Sequence, residues 1–113
     1  MTIVAAACIG CSTFVSSGQP AQRYQAGRLS EDEKHRIFSA ALVASESPLE
    51  SVIFKNACRK IGILDAAGEP NDRYLAFTTA HADWATETAA DQFRREINTK
   101  EKAVEYLRQH LPQ

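Results

Sequence analysis

Two cysteines stand three positions apart near the start of the chain, in Cys8-Ile9-Gly10-Cys11. That spacing lets the sulfurs close a disulfide or ligate one metal ion together. A zinc site needs two more ligands, usually as a second close pair. The other Cys and His residues are His35, Cys58, His81 and His110, and no two of them are close in sequence. The motif is therefore half a site. In thioredoxin-like redox proteins a strand leads into the motif, and residues 3–7 could supply one, but the rest of the chain lacks the strands such a fold requires. Two incidental or buried cysteines are the simpler reading. A small thiol-redox or metal-binding protein using Cys8 and Cys11 stays as an alternative.

His81 sits within an apolar stripe, Tyr74, Phe77 and Trp84. A histidine there is a general base, a ligand or a packed core residue. Asp83 is two positions away and points elsewhere on a helix, and local spacing places no Ser or Cys beside the ring. A packed, hydrogen-bonded histidine is expected. His35 and His110 fall at helix borders, where surface placement accounts for them. The acids Glu31, Asp32 and Glu33 fit helix capping and the helix dipole better than acid–base catalysis. Asp65, Glu69 and Asp72 do not match the spacing of a calcium loop. Neither G-x-x-x-x-G-K-[ST] nor G-x-G-x-x-G occurs. No catalytic residue, cofactor site or complete metal site is assigned, and an enzyme is not expected.

Lys55, Asn56 and Arg59, with Lys60 beside them, lie on the outward face of the second of two closely linked helices. A helix-turn-helix recognition helix carries its base and phosphate contacts on such a face. The segment helix, Gly62-Ile63-Leu64-Asp65, Gly68-x-Pro70, helix resembles junctions of helix-turn-helix and winged-helix modules over about ten residues. Against this, 13 basic residues oppose 14 acids for a net charge of −1, and DNA affinity rests largely on phosphate neutralisation. A solvated basic face is the plainer expectation.

These residues need elements to position them. Ser30-Glu31-Asp32-Glu33 is a capping box that opens a helix over about residues 31–45. Ile37, Phe38, Ala41, Leu42 and Ser45 share its inner face, with Asp32, Arg36, Ser39 and Glu46 opposite. Ser47-Pro48-Leu49-Glu50 reads as a second capping box with Pro in the first turn. It puts Leu49, Ile53, Phe54, Ala57, Cys58 and Ile61 inside and lets Gly62 stop the helix. Residues 63–65 make an abbreviated strand or a core plug before a turn. Asn71 caps a third helix, whose phase breaks near Thr86. A separate stripe of Ala89, Phe93 and Ile97 follows, helical in preference to a strand over residues 92–97. Asn98 or Thr99 caps a last helix with Ala103, Val104, Leu107 and Leu111 inside.

Residues 1–28 differ from this body. They contain no acid, and Ser16-Ser17-Gly18-Gln19-Pro20 reads as a linker. A secretory signal would begin with basic residues, and none precedes Ile3. Cys11 after Ile9-Gly10 resembles a degenerate lipoprotein processing site. Export through an atypical N-terminal signal is thus the alternative to a cytoplasmic setting, which three cysteines fit better than they fit a disulfide framework. A run of about 18 apolar residues is absent, so no membrane-spanning helix is expected.

The sequence thus predicts an all-α fold: a compact bundle of four or five short helices over residues 29–113, at most one very short strand, and a weakly ordered leader over residues 1–28. A body of about 80 residues buries only about 60% of its unfolded surface, too little for a deep cleft within one copy. The expected function is a non-catalytic interaction or regulatory module that binds another protein or self-associates. A nucleic-acid-binding helix-turn-helix-like domain through Lys55, Asn56 and Arg59 is the alternative.

Overall fold

The computed structural model describes residues 29–111. The leader, with Cys8 and Cys11, lies outside the described residues. Five helices follow one another: α1 (Glu31–Ala44), α2 (Val52–Ile61), α3 (Arg73–Trp84), α4 (Thr88–Glu96) and α5 (Lys100–His110). The fold is all-α. Its only strand-like pairing among the described residues is a single antiparallel bridge between Leu64 and Pro70. Among the same residues no helix is long and apolar enough to cross a membrane.

Local chemistry sets most of the boundaries. The Ser30 hydroxyl accepts the Glu33 N–H at 3.1 Å, and the Glu33 carboxylate accepts the Ser30 N–H at 3.3 Å. Gly62 ends α2 at φ 89°, a left-handed conformation that costs a side-chain-bearing residue but not glycine. The chain then doubles back tightly. Asp65 N–H donates to the Glu69 carbonyl, Asn71 N–H to the Ile63 carbonyl, and the Asn71 side-chain amide to the Gly62 carbonyl. The Asn71 side-chain oxygen accepts the Arg73 N–H at 2.9 Å and so starts α3. Thr99 caps α5 by accepting the Lys102 N–H.

Two boundaries differ from the sequence reading. Helix α2 does not begin at Ser47. The Ser47 carbonyl accepts both the Glu50 and Ser51 N–H groups in a turn, and the helix starts only after Ser51, whose hydroxyl accepts the Phe54 N–H. Leu49 is consequently outside the helix and 71% exposed, not part of the inner face. In α4 the buried positions are Ala90 and Phe93, one step removed from the expected Ala89.

Helix α1 is the centre of the molecule. Residues Ile37, Phe38, Ser39, Ala40 and Ala41 are all buried. At about 100° per residue, five consecutive positions sweep the whole circumference. The backbone of α1 packs most extensively along α5, then along α2, and far less along α4. Each of these neighbours carries an alanine with no exposed surface, namely Ala57, Ala90 and Ala103. Helix α3 is different. Its buried residues are all large, Phe77, His81 and Trp84, and it reaches α1 through long rings rather than by close backbone approach.

Candidate functional site

The cluster richest in chemistry is the seam between α1 and α3. Helical spacing aligns His35, Phe38 and Ser39 on α1, and Phe77, His81 and Trp84 on α3. His35 Nδ1 and His81 Nδ1 face each other at 3.2 Å, and the Ser39 hydroxyl lies 3.2 Å from His81 Nε2. All three residues are buried, at 6%, 9% and 6% exposure for His35, His81 and Ser39. Aromatic rings enclose the pair. His35 stacks on Phe77 with centroids 4.7 Å apart and on Trp84 at 5.4 Å. His81 meets Phe38 at 4.7 Å and Trp84 at 5.4 Å. The Trp84 indole N–H donates to Asp32 at 3.0 Å, closing the seam at its outer edge.

The expectation of a packed, hydrogen-bonded His81 agrees with this geometry. The surface placement expected for His35 does not, and neither does the wet position assigned to Ser39. Both are buried because α3 covers the side of α1 that its own sequence pattern left to solvent.

A neutral imidazole has one N–H and one lone pair. The Nδ1–Nδ1 contact therefore works only if one ring donates and the other accepts. Either Ser39 donates to His81, which donates to His35, or the polarity is reversed through the same three groups. Burial pushes both histidines toward the neutral form. For His81, burial, the neighbouring His35 and Arg94 lower the pKa to about 4. For His35, burial lowers it against the opposing pull of Glu31, Asp32 and Glu87. Burial alone would raise the Asp32 carboxyl, but the Trp84 N–H and Arg36 outweigh it and hold it below the usual carboxylate range.

The order Ser39–His81–His35 has the connectivity of a nucleophile, a base and an orienting group. It lacks the access such a triad needs, since the hydroxyl and both rings are covered by Phe38, Phe77 and Trp84. Among the described residues no group of three or more His, Cys, Asp or Glu side chains is placed to hold a metal ion. The pair thus has two nitrogens but no third donor of that kind.

The other residues singled out from sequence fall elsewhere. Lys55 is half-buried and lines a groove with Leu64, Glu69, Pro70 and Tyr74. Asn56 lines a different groove, between α2 and α5, whose floor is Ile53, Val104, Leu107 and Leu111. Arg59 donates to the Asn56 side chain at 2.8 Å and folds toward the loop, where a Cβ on residue 68 would stand 3.0 Å from its guanidinium. Helix α2 therefore sends Lys55 and Asn56 to separate grooves and engages Arg59 internally. Cys58 is fully buried, and burial pushes its thiol up to about 12.

Sequence reasoning also missed a patch of exposed apolar residues. Among the described residues the exposed large hydrophobics are Leu42, Val43, Leu49, Val52 and Leu75. The first four fall within one stretch, from the end of α1 to the start of α2. The displaced start of α2 accounts for Leu49, and Leu42, expected on the inner face of α1, is also exposed, whereas the outward position of Val52 agrees with the helical pattern. Comparison with protein-family models, with curated proteins and with solved structures finds no match to this chain.

Proposed function

We propose that this chain is a non-catalytic interaction module that docks a protein partner on the corner between α1 and α2. The observation that carries this reading is the exposure of Leu49 at 71% and Val52 at 72%, with Leu42 and Val43 more than a third exposed in the same stretch of chain. Single exposed apolar residues are ordinary, but a contiguous group marks contact surfaces. Covering one such side chain contributes about 1.5–3 kcal/mol. The same stretch carries Glu46 and Glu50 and no Lys or Arg. Lys55 lines a groove with Leu49, so both signs of charge lie near the apolar side chains, which fit a partner that presents chiefly apolar side chains.

Nucleic-acid binding through Lys55, Asn56 and Arg59 has less support, because these side chains are not arrayed on one open face. The test is a comparison of the full chain with its Leu49→Asp/Val52→Asp variant, both immobilised and exposed to host lysate with and without nuclease. The expected result is a polypeptide retained by the parent chain, insensitive to nuclease and lost with the variant. Retention that depends on nucleic acid, or that ignores Leu49 and Val52, argues against the proposal. A mobility shift at low salt that is abolished by Lys55→Ala/Arg59→Ala would instead establish the nucleic-acid reading.

A further inference from the structure

Helix α3 meets α1 through side chains rather than by close backbone approach. It is joined to α1 by the His35–His81 contact, the Ser39–His81 contact, the rings around them and, at the edge, the Trp84–Asp32 hydrogen bond. The central Nδ1–Nδ1 contact of 3.2 Å requires a lone pair on one ring. If both rings gain a proton, two N–H groups face each other with no acceptor between them. Two positive charges then lie side by side among Phe38, Phe77 and Trp84. The contact that closes the seam becomes one that opens it.

We propose that the His35–His81 pair is a proton-operated latch that holds α3 against α1 when both rings are neutral and releases it when they are protonated.

The charged groups around the pair come from several elements. Glu31, Asp32 and Lys34 on α1 and Glu87 in the turn before α4 act on His35, and Arg94 on α4 acts on His81. The carboxylates favour a charged His35. Arg94, Lys34 and the second ring oppose protonation, and so does burial. The closed state therefore binds fewer protons than the open state over a window that starts near the ordinary histidine value of 6.5 and, for His81, extends down to about 4. Closure is fully favoured above that window and is lost as pH falls through it. While both rings remain neutral when closed and ionise when open, each pH unit multiplies the open-to-closed ratio by up to about 100, tenfold per ring. Release would uncover Trp84 and the apolar rings of Phe38 and Phe77. The latch is independent of the docking corner, which lies on residues 42–52.

The experiment follows the full chain from pH 7.5 to 4 by imidazole NMR, Trp84 fluorescence and amide hydrogen exchange. The expected result is that both rings stay neutral in the native signal set, while Trp84 shifts toward a hydrated spectrum cooperatively within the window. Amides of α3 should lose protection before those of α1 and α5. In His81→Leu, the midpoint of Trp84 exposure should move at least about one pH unit lower. Should that variant not fold, the imidazole titration and exchange pattern of the parent chain remain decisive. Titration of either ring near 6.5 with Trp84 still buried overturns the latch. So does simultaneous loss of protection in α3 and α5, which would be ordinary acid unfolding of the whole bundle.

Discussion

The buried polar residues show where reading the sequence stops short. His81 could be placed in the core because its neighbours at helical spacing are Tyr74, Phe77 and Trp84. Its partners could not be named, since Ser39 and His35 lie 42 and 46 positions away in the chain. Nothing near Ser39 in sequence shows that a histidine from another helix will meet its hydroxyl. Cys58 was more readable. It follows Phe54 by four positions and precedes Ile61 by three, on the inner face of α2, and it is fully buried. With no charge or helix N-terminus to stabilise its thiolate and burial opposing ionisation, this thiol should be inert. In the folded chain at pH 8, a disulfide exchange reagent should modify Cys58 only on denaturation. Rapid native labelling of Cys58 would mean that α2 opens far more often than its packing implies.

Helix boundaries were legible wherever the deciding contact is local. The Ser30–Glu33 box, the Gly62 stop, the Asn71 start and the Thr99 cap each rest on groups within a few residues of one another, and each is present. The junction before α2 failed because two competing signals stand four residues apart. Ser47-Pro48 has the right composition for a helix start, but the buried set Phe54, Ala57, Cys58 and Ile61 needs nothing earlier than Ser51. Tertiary packing chose between them. The distinction is measurable. Ser51→Ala should lower stability by about 1 kcal/mol through loss of the cap, and Ser47→Ala should be nearly neutral, as read by denaturant unfolding. Equal effects would restore the earlier start. The same displacement explains the exposure of Leu49, which has the character of a core residue and the location of a surface one; it does not explain that of Leu42, near the end of α1.

At the scale of the whole molecule, the all-α class and the number of helices followed from periodicity, while the arrangement around α1 did not. The middle of α1 is buried around its circumference, so its polar residues do not all mark a solvent face, and Ser39 and Arg36 look equivalent in sequence although only Ser39 is buried. The charges play a smaller part. The ion pairs Lys34–Glu31, Arg36–Asp32, Arg94–Asp91 and Arg108–Glu105 all lie within single helices, three or four residues apart, and keep much of their exposure. Such pairs contribute at most about 0.5 kcal/mol each and are screened by salt. The four together contribute at most about 2 kcal/mol, so raising sodium chloride from low to molar concentration at pH 7.5 should lower the thermal midpoint by no more than about 8–16 °C, at about 4–8 °C per kcal/mol for a domain of this size. A larger fall would locate stabilising charge that these pairs do not account for.

The most extensive helix packing among the described residues joins α1 to α5, and this sets a timetable for synthesis. While the chain is being extended on the ribosome, α1 emerges early and waits through the making of every other helix for its main companion. Until α5 has cleared the exit tunnel, Ile37, Phe38 and the alanines of α1 have an incomplete cover, and closing so long a stretch of chain is an entropic cost that only the finished contact offsets. The five helices are thus suited to fold as one unit once α5 is available, rather than piece by piece. In the interval the most deeply buried helix of the finished bundle is exposed to chaperones and to other nascent chains.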